Sequence, residues 1–365
     1  MVVDRKTRKA FSGSLVALAL CCAAIGLLVG SSAVYAQQDD KIVYLGIGGP
    51  TQEAIKKALF EPFTKATGIK VIEDKGLSPE RVQAEVQSGH PSIDFMTIGS
   101  SGYLTLLKNN LLAPIDYKFY DPEDLKSMPE SVRGKFQVGS VYSSLGMAFS
   151  TDAFPDGKPQ PSSWADFWDV KKFPGKRTLP FCGVLEGSWP IPEAALLADG
   201  VPLNKLYPLD MQRAVKKLKE LSPNVIWWKN TSQPGQYMVT KEAVMELDSI
   251  GRTSKLIEGG AHLKYVWNGA RSFGDSWIVV KGSPHYDNVM KFLAFAAGPE
   301  VQANLAKLIG YAPSNPRAYK YFTDAEAKKL VTYPDNIKLT WQNDPEWWAA
   351  NVSKWTEVCL NGLAN

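Results

Sequence analysis

Short apolar runs alternate with amphipathic segments along much of this chain, and glycine-rich turns separate them. Residues 41–47 are mostly apolar and β-prone, which is typical of a buried strand. The turn Gly48-Gly49-Pro50 ends that run, and apolar side chains then recur at helical spacing over 51–67. Further strands are predicted at 69–72 and 94–98, each followed by a helical segment. This repetition predicts an α/β fold with a parallel sheet that helices cover on both faces.

A second αβ region follows the first. Residues 141–150 are strand-like, and 151–163 are rich in Pro, Gly and Ser, which is typical of a linker or loop. Met211–Leu221 places its apolar residues on one helical face. A strand at 276–280 then precedes two helices within 286–310. A chain of 365 residues with this arrangement is predicted to form two domains.

The N-terminal segment has the composition of a secretory leader. Basic residues precede an apolar run over 11–30, and a stretch of small residues ends at Ala36. This order predicts a signal peptide over 1–36 that is cleaved after Ala36. The alternative is a retained membrane anchor, because the apolar run is long enough to span a bilayer, although Gly, Ser and Cys interrupt it. The bulky Leu20 argues against a lipid anchor on Cys21.

Much of the net charge is concentrated in that leader. The whole chain carries +4, and four bases with one acid in the first ten residues supply +3 of it. No basic run follows residue 40, which argues against a nucleic-acid partner. Hydrophobic residues at 45% and charged residues at 21% are ordinary for a globular protein. They argue against a disordered chain and a multi-span membrane protein.

Few residues with metal, redox or catalytic chemistry follow the leader. Cys182 and Cys359 either form a disulfide in an oxidising compartment or remain free thiols. The histidines His90, His262 and His285 are scattered, so no zinc site is expected. The sequence has no G-x-S-x-G, S-x-x-K, H-E-x-x-H or P-loop motif. We therefore predict no cofactor and no catalytic residue.

Two turns rich in Gly or Ser precede predicted helices. Gly48-Gly49 leads into Pro50-Thr51, and Ser100-Ser101 precedes the helix that contains Tyr103. Backbone N–H groups at such a helix start can hold a polar or anionic ligand atom. The alternative is an ordinary strand-to-helix connection. Nucleotide binding is disfavoured, because the first turn lacks a third glycine and Pro50 removes a backbone donor.

Three groups of segments, taken in order, carry a family resemblance. They are Ser162-Ser163-Trp164-Ala165-Asp166-Phe167-Trp168 with Phe173-Pro174-Gly175-Lys176, then Phe273-Gly274-Asp275-Ser276-Trp277, and last Gly298-Pro299-Glu300 through Gly310-Tyr311-Ala312-Pro313-Ser314-Asn315. In this order they resemble the bacterial periplasmic solute-binding proteins of ATP-driven importers, specifically the spermidine/putrescine-binding class. The resemblance runs from about residue 41 to the end of the sequence.

The resemblance implies a two-lobe periplasmic-binding-protein fold of type II, in which each lobe is a sheet flanked by helices and a hinge joins the lobes. The lobes would comprise 40–147 plus 275–315, and 151–270 plus 320–365. Cys182 and Cys359 would then share the second lobe, which favours a disulfide between them. The implied protein is a periplasmic monomer without catalysis, and it presents its ligand to an ABC permease in the inner membrane.

The resemblance also implies a set of ligand contacts. In this family an acid at the position of Asp275 pairs with a ligand amine, and the residues at the positions of Phe273 and Tyr311 line the cleft. Trp341 and Gln342 resemble the last cleft contact. An unpaired charge in a closed cleft costs several kcal/mol, and each aromatic face adds about 0.5–2 kcal/mol to the binding of a cation. The implied ligand is a small amine, either a polyamine or an ω-amino acid.

The sequence departs from the polyamine-binding pattern. The loop Gly48-Gly49-Pro50-Thr51 has no aromatic residue where the polyamine binders of the closest type carry them. Arg252 would suit a ligand carboxylate through two hydrogen bonds, and together with Asp275 it would favour a zwitterion. Alternatively, Arg252 pairs with Asp248 and does not contact the ligand. Glu186 is either a second partner for the amine or a solvated loop acid.

Two other functions stay open at this level. A secreted carboxylate hydrolase would use Glu186 and Asp275 on either side of one bond. A ferric-ion or anion binder of a neighbouring class usually needs paired tyrosines or histidines, and Tyr319 and Tyr321 come near to such a pair.

Overall fold

The computed structural model describes residues 40–46, 48–184 and 189–364. The predicted signal peptide over 1–36 and the loop acid Glu186 lie outside these residues. Within the described ranges, none of the helices combines the length and the apolar character that crossing a bilayer requires.

The described residues form strands and helices in close alternation. The strands are β1 (Lys41–Gly46), β2 (Lys70–Lys75), β3 (Phe95–Gly99), β4 (Leu112–Ala113), β5 (Val138–Ser150), β6 (Arg177–Pro180), β7 (Val225–Trp228), β8 (Met245–Ser249), β9 (Leu263–Val280) and β10 (Ala312–Pro313). The helices are α1 (Gly49–Ile55), α2 (Glu61–Thr67), α3 (Pro79–Gln87), α4 (Ser100–Lys108), α5 (Pro122–Ser127), α6 (Trp164–Trp168), α7 (Ile191–Ala198), α8 (Met211–Leu221), α9 (Gln233–Val239), α10 (Ile250–Glu258), α11 (Tyr286–Ala296), α12 (Pro299–Ile309), α13 (Asp324–Ala327), α14 (Pro334–Ile337) and α15 (Pro345–Ala364). A π-helical turn at Lys56–Phe60 joins α1 to α2.

The predicted helix boundaries follow from local capping chemistry. The Ser78 side chain accepts a hydrogen bond from the backbone N–H of Arg81 and so starts α3. Gly310 has φ of 68° and ends α12, because a left-handed residue cannot continue the helix. The predicted helix Met211–Leu221 is confirmed as α8, with the Asp210 side chain as its cap.

The sheet as a whole is mixed, although the strands β1, β2 and β3, from which a parallel sheet was predicted, do pair in parallel. Its strand order is β2-β1-β3-β9-β5-β8-β6-β7. Strands pair in parallel near the two ends, where β1 contacts β2 and β3, and β6 contacts β7 and β8. The central strands β5 and β9 are antiparallel to each other and to their outer neighbours. β5 and β9 run in opposite directions because β5 carries the chain from the first half of the molecule to the second, and β9 carries it back.

We call β2, β1 and β3 the first half-sheet and β8, β6 and β7 the second half-sheet. Apolar residues of the first half-sheet alternate between two faces. Ile42 and Tyr44 pack into one cluster with helices α11 and α12, whereas Leu45 and Met96 pack into another with α3 and α4. This half is therefore covered on both faces, as expected. A separate core with four fully buried tryptophans or phenylalanines from β7, α6 and α15 covers the second half-sheet; these are Trp228, Phe167, Trp348 and Trp355.

The two long strands pass from one core to the other at the same level. On β5, Val141 belongs to the first core and Leu145 to the second. On β9, Trp277 belongs to the first core and Phe273 packs against the second. The pairing register places Val141 opposite Asp275, within this change of core. We call the place where β5 and β9 pass from one core to the other the crossover. The lobe boundaries given above stay a prediction, and the crossover lies close to them.

Cys182 and Cys359 are joined in the structure, with a Cα–Cα distance of 5.9 Å. Cys182 follows β6 and Cys359 lies on α15, and both are at most 4% exposed. The bond therefore ties the C-terminal helix to the core of the second half-sheet across 177 residues of sequence.

Candidate functional site

A cavity of about 370 Å³ lies beside the crossover of β5 and β9, and we call it the central cavity. Both half-sheets, or the loops and helices that follow their strands, contribute to its wall. The lining residues are Ile98, Gly99, Ser100, Ser101, Gly102, Leu145, Trp189, Thr231, Ser249, Arg252, Arg271, Phe273, Gly274, Asp275, Tyr311 and Asn343. This volume is typical of a small-molecule site.

Several of the predicted contact residues meet on this wall. They are Ser100, Ser101, Arg252, Phe273, Asp275 and Tyr311. Thr51 and Asp248 line a larger neighbouring cavity. The fold brings these residues together from distant parts of the chain, because the ends of β3 and β8 meet the middle of β9 and β5 near the crossover.

Other predicted residues lie away from the central cavity. The N–H of Gly48 donates to Oε1 of Gln52 at 2.7 Å, so this turn group is used within the protein. Gly49 begins α1, and Tyr103 packs against the core behind α4. Trp341 is 9% exposed and donates from Nε1 to the backbone oxygen of Gly269. Gln342 is exposed, and its neighbour Asn343 lines the cavity in its place.

Asp275 presents a carboxylate to the cavity. It pairs with Gly99 across β3 and β9, and its Oδ1 lies beside the start of α4. Burial raises its pKa to about 6, although the charge of Arg271 opposes that shift. Its carboxylate has no hydrogen bond or ion pair with another residue of the described chain. A cation in the cavity would therefore be its natural partner.

Arg252 presents a guanidinium to the same cavity. Its Nε donates to Oδ1 of Asp248 at 2.7 Å, and its Cζ lies 5.3 Å from the ring centroid of Trp189. The Ser249 side chain caps α10 by accepting from the backbone N–H of Arg252. The two Nη atoms make no hydrogen bond to the residues that the structure describes. Arg252 thus pairs with Asp248 through Nε, and the described residues leave its Nη atoms without a hydrogen bond.

Asp248, which accepts the hydrogen bond from Arg252, is 1% exposed. It accepts a second hydrogen bond from the backbone N–H of Ser249 at 2.6 Å. Glu246 lies two residues earlier on β8 and is also buried. Burial raises the pKa of both carboxyls, and the charge of Asp248 raises that of Glu246 further. Arg252 is therefore held beside two buried acidic residues, Asp248 and Glu246.

Arg271 is a second cation on the wall, and sequence analysis missed it. It lies on β9 with Phe273 and Asp275 at a spacing of two residues, so the three side chains share one face of the strand. Its Cζ lies 5.1 Å from the ring centroid of Phe273. That spacing was a usable signal, but residues 263–275 contain Asn and Gly and were not predicted as strand.

Trp189, Thr231 and Asn343 were missed as well. Each lies outside the strands, in a loop or turn whose position depends on the tertiary fold. No local pattern in the sequence marks them. Their side chains add one aromatic ring, one hydroxyl and one amide to the cavity wall.

A close backbone approach connects the two sides of the cavity. A Cβ atom on Gly251 of α10 would lie 2.5 Å from Cε1 of Tyr311 and 2.6 Å from the backbone oxygen of Ile309. Gly310 also approaches closely, because its Cβ would lie 3.2 Å from the Cα of Gly251. Helix α10 belongs to the second half-sheet, whereas α12 and the turn after it belong to the first. Glycine at 251 is therefore needed for this contact.

The residues considered for metal binding are not arranged for it. Within the described ranges, no group of three or more His, Cys, Asp or Glu side chains could hold a metal ion. The Tyr319 hydroxyl bonds to the hydroxyl of Thr332 at 2.6 Å. Neither Tyr319 nor Tyr321 lines the central cavity.

Comparison with known proteins gives consistent results over most of the chain. A family model for bacterial extracellular solute-binding proteins matches residues 58–338. A gamma-aminobutyric acid-binding protein of Pseudomonas aeruginosa is 32% identical over 322 residues, covering 85% of this chain and 87% of that protein. A spermidine/putrescine-binding periplasmic protein of Salmonella typhimurium is 26% identical over 336 residues, covering 88% and 92%.

A solved structure shows similarity to a binding protein of the same kind. An ABC transporter substrate-binding protein from Bradyrhizobium japonicum superposes with a TM-score of 0.77 at 32% identity. The match covers 87% of this chain and 99% of that structure. The mixed sheet with flanking helices is thus the architecture of a known group of binding proteins, and the expected fold class is confirmed.

Proposed function

Because the chain belongs to the bacterial extracellular solute-binding protein family, as its sequence predicted, we propose that it captures a small zwitterionic amine of the ω-amino acid type in the central cavity. Members of this family bind solutes, and the chain is not an enzyme. A hydrolase built on Glu186 and Asp275 is therefore set aside. The observation that carries the proposal is that one cavity wall holds both Asp275, whose carboxylate has no partner among the described residues, and the Nη atoms of Arg252.

The amine end of the ligand would bind Asp275. Without a ligand, this carboxylate is partly buried and lacks a hydrogen-bonded partner in the described chain. An ammonium group supplies the missing charge and up to three donors. The hydroxyls of Ser100 and Ser101 lie on the same wall and can accept the remaining hydrogen bonds. The ring of Phe273, two residues away on β9, adds a cation–π surface.

The carboxylate end would bind Arg252. A guanidinium donates two parallel hydrogen bonds to a carboxylate, and this geometry is both strong and directional. Asp248 and the Trp189 ring fix the plane of the Arg252 group before a ligand arrives. Such preorganisation lowers the entropy lost on binding.

A polyamine is the second candidate, because a spermidine/putrescine-binding protein is among the relatives. Its second ammonium would face Arg252 and Arg271, both on the cavity wall. Like charges at close range disfavour that arrangement. A zwitterion satisfies both signs of charge, and the gamma-aminobutyric acid-binding relative is named for such a ligand.

The transport role follows from family membership. We place the mature protein in the periplasm, after removal of residues 1–36, where it passes the ligand to an ABC permease as a monomer. Closure would be a hinge motion about the crossover of β5 and β9, in which the ligand shifts an existing equilibrium between open and closed forms.

A thermal-shift and calorimetric panel tests this proposal. The purified mature chain is mixed with 4-aminobutanoate, 5-aminopentanoate, putrescine and spermidine in turn. We expect one-to-one binding of an ω-amino acid, with the diamines at least about tenfold weaker because their second charge is repelled. Tighter binding of putrescine would favour a polyamine as the ligand. No response to any of the four would refute the amine assignment.

A further inference from the structure

A second, larger cavity lies next to the central cavity. Its volume is about 540 Å³, and much of its wall is made by apolar side chains. We call it the apolar chamber and define it by Val239, Leu256, Leu308 and Ile309. The site proposed above for an amine and a carboxylate leaves this chamber without a role.

The chamber and the central cavity share part of their walls. Thr231, Arg252 and Tyr311 line both spaces. Asp275 lines the central cavity and not the chamber, so the acid that would bind the amine is not part of the chamber wall. Arg252 therefore marks the boundary, and the ligand carboxylate would lie at the entrance to the chamber.

Both sides of the molecule contribute apolar surface to the chamber. Leu308 lies on α12 and Val239 ends α9, and their exposed fractions are 44% and 55%. Large apolar side chains with this exposure in one cavity indicate a surface that binds apolar groups. Covering them would remove apolar area from water on both sides at once. An apolar group in this space would stabilise the contact between α10 and α12.

We infer that the chamber holds an apolar substituent of the ligand, and that the preferred substrates are ω-amino acids with an alkyl or aryl group next to the carboxylate. This inference rests on the proposed function, because the charged ends must occupy Asp275 and Arg252 for the substituent to enter the chamber. Next to the carboxylate itself, the carbon adjacent to it is the part of the ligand nearest to the boundary residue Arg252. Unsubstituted 4-aminobutanoate would leave the chamber filled with water.

Calorimetry with a homologous series tests the inference. The probes are 4-aminobutanoate and its 2-methyl, 2-propyl and 2-butyl derivatives. We expect the affinity to rise about fourfold for each methylene that is buried. The heat-capacity change on binding should become more negative along the series, because apolar burial has this signature.

A double variant tests whether any gain in affinity along the series depends on the chamber. Val239→Ser with Leu308→Asn removes exposed apolar side chains, and neither change opens a buried core. In this variant the ratio of the 2-butyl to the parent affinity should fall towards one. Ile72 is a matched control, because it is 45% exposed and lies on β2, away from both cavities. Ile72→Ser should leave the ratio as in the unaltered protein.

The outcomes separate the inference from the proposal on which it rests. If 4-aminobutanoate binds and the series is flat or becomes weaker, the inference is wrong and the proposed function stands. If neither the parent nor its derivatives bind, both are wrong. A gain along the series that the double variant retains would also refute the chamber as the site of the substituent.

Discussion

The Nε atom of Arg252 donates a 2.7 Å hydrogen bond to the buried Oδ1 of Asp248, and this bond orients the guanidinium towards the central cavity. The acid uses one edge of the guanidinium, so the other edge meets the cavity. The Trp189 ring holds the same group from its face. Arg252 is thus fixed in place by two contacts that do not involve a ligand.

Replacing Arg252 by Lys should weaken binding of 4-aminobutanoate by about tenfold, because an ammonium cannot make the paired hydrogen bonds or stack on Trp189 in the same way. Binding of putrescine should change far less. Calorimetric Kd values for both ligands measure the effect. Arg213→Lys is the control, because Arg213 pairs with Asp199 on the exposed face of α8. An unchanged Kd for 4-aminobutanoate in the Arg252 variant would remove Arg252 from the site.

Asp275→Asn should lower affinity for the amine by about 100-fold, because it removes the charge that the ammonium needs. The same change should stabilise the unliganded protein at pH 7 by on the order of 1–2 kcal/mol, since it removes a buried negative charge. Denaturant unfolding and calorimetry on the same preparations measure the two effects. Loss of both binding and stability would instead indicate a structural role.

The affinity should depend on pH through Asp275. Its pKa is about 6 because of burial, so the carboxyl is charged at pH 7 and mostly protonated at pH 5. Binding of the amine should weaken as the pH falls through about 6. For the unliganded protein the contribution has the opposite sign, because a raised pKa means that the folded state binds the proton more tightly. That contribution to stability should rise as the pH falls from 7 towards 4, and Asp275→Asn should abolish both trends.

Gly251→Ala should hinder closure of the two sides of the cavity. The added Cβ would lie 2.5 Å from Tyr311 and 2.6 Å from the oxygen of Ile309, both across the cavity on the first half of the molecule. We expect about a tenfold loss of affinity and a larger radius of gyration in the presence of ligand. Gly259→Ala, at the other end of α10, is the control, because its Cβ would have ordinary contacts of 3.4 Å. Equal affinities for the two variants would contradict this role for the Gly251 contact.

Cys182→Ser with Cys359→Ser should lower the free energy of unfolding by on the order of 3–5 kcal/mol, because the bond closes a loop of 177 residues. Ligand affinity should change little, since neither cysteine lines the central cavity. Thermal melts with and without reductant measure the effect. Reductant should destabilise the unaltered protein and leave the double variant unchanged. A reductant effect on the double variant would point to a different cause.

Much of the fold was predictable because local signals agree with the tertiary structure. The strands before α1 and α4, the helix α8 and the stop at Gly310 all follow from periodicity, capping and glycine conformation. The centre of the sheet was not predictable in this way. Strand β9 runs from Leu263 to Val280, yet only 276–280 has the apolar pattern of a buried strand. Its middle part contains Arg271, Gly274 and Asp275, which line the cavity.

The site was predictable only where a family pattern or an unusual charge marked a residue. Asp275, Phe273 and Tyr311 came from the resemblance, and Arg252 came from its departure from that pattern. Trp189 and Asn343 lie in irregular segments, and only the folded chain brings them to the cavity. The choice between two predicted roles for Arg252 depended on geometry, because one guanidinium edge can serve Asp248 while the other faces the cavity.

The most direct test is a crystal structure of the mature protein with 4-aminobutanoate. The account predicts the ligand nitrogen within hydrogen-bonding distance of the Asp275 carboxylate, and the ligand carboxylate on the Nη atoms of Arg252. A ligand bound in the reverse orientation, or in a place where it contacts neither residue, would contradict it.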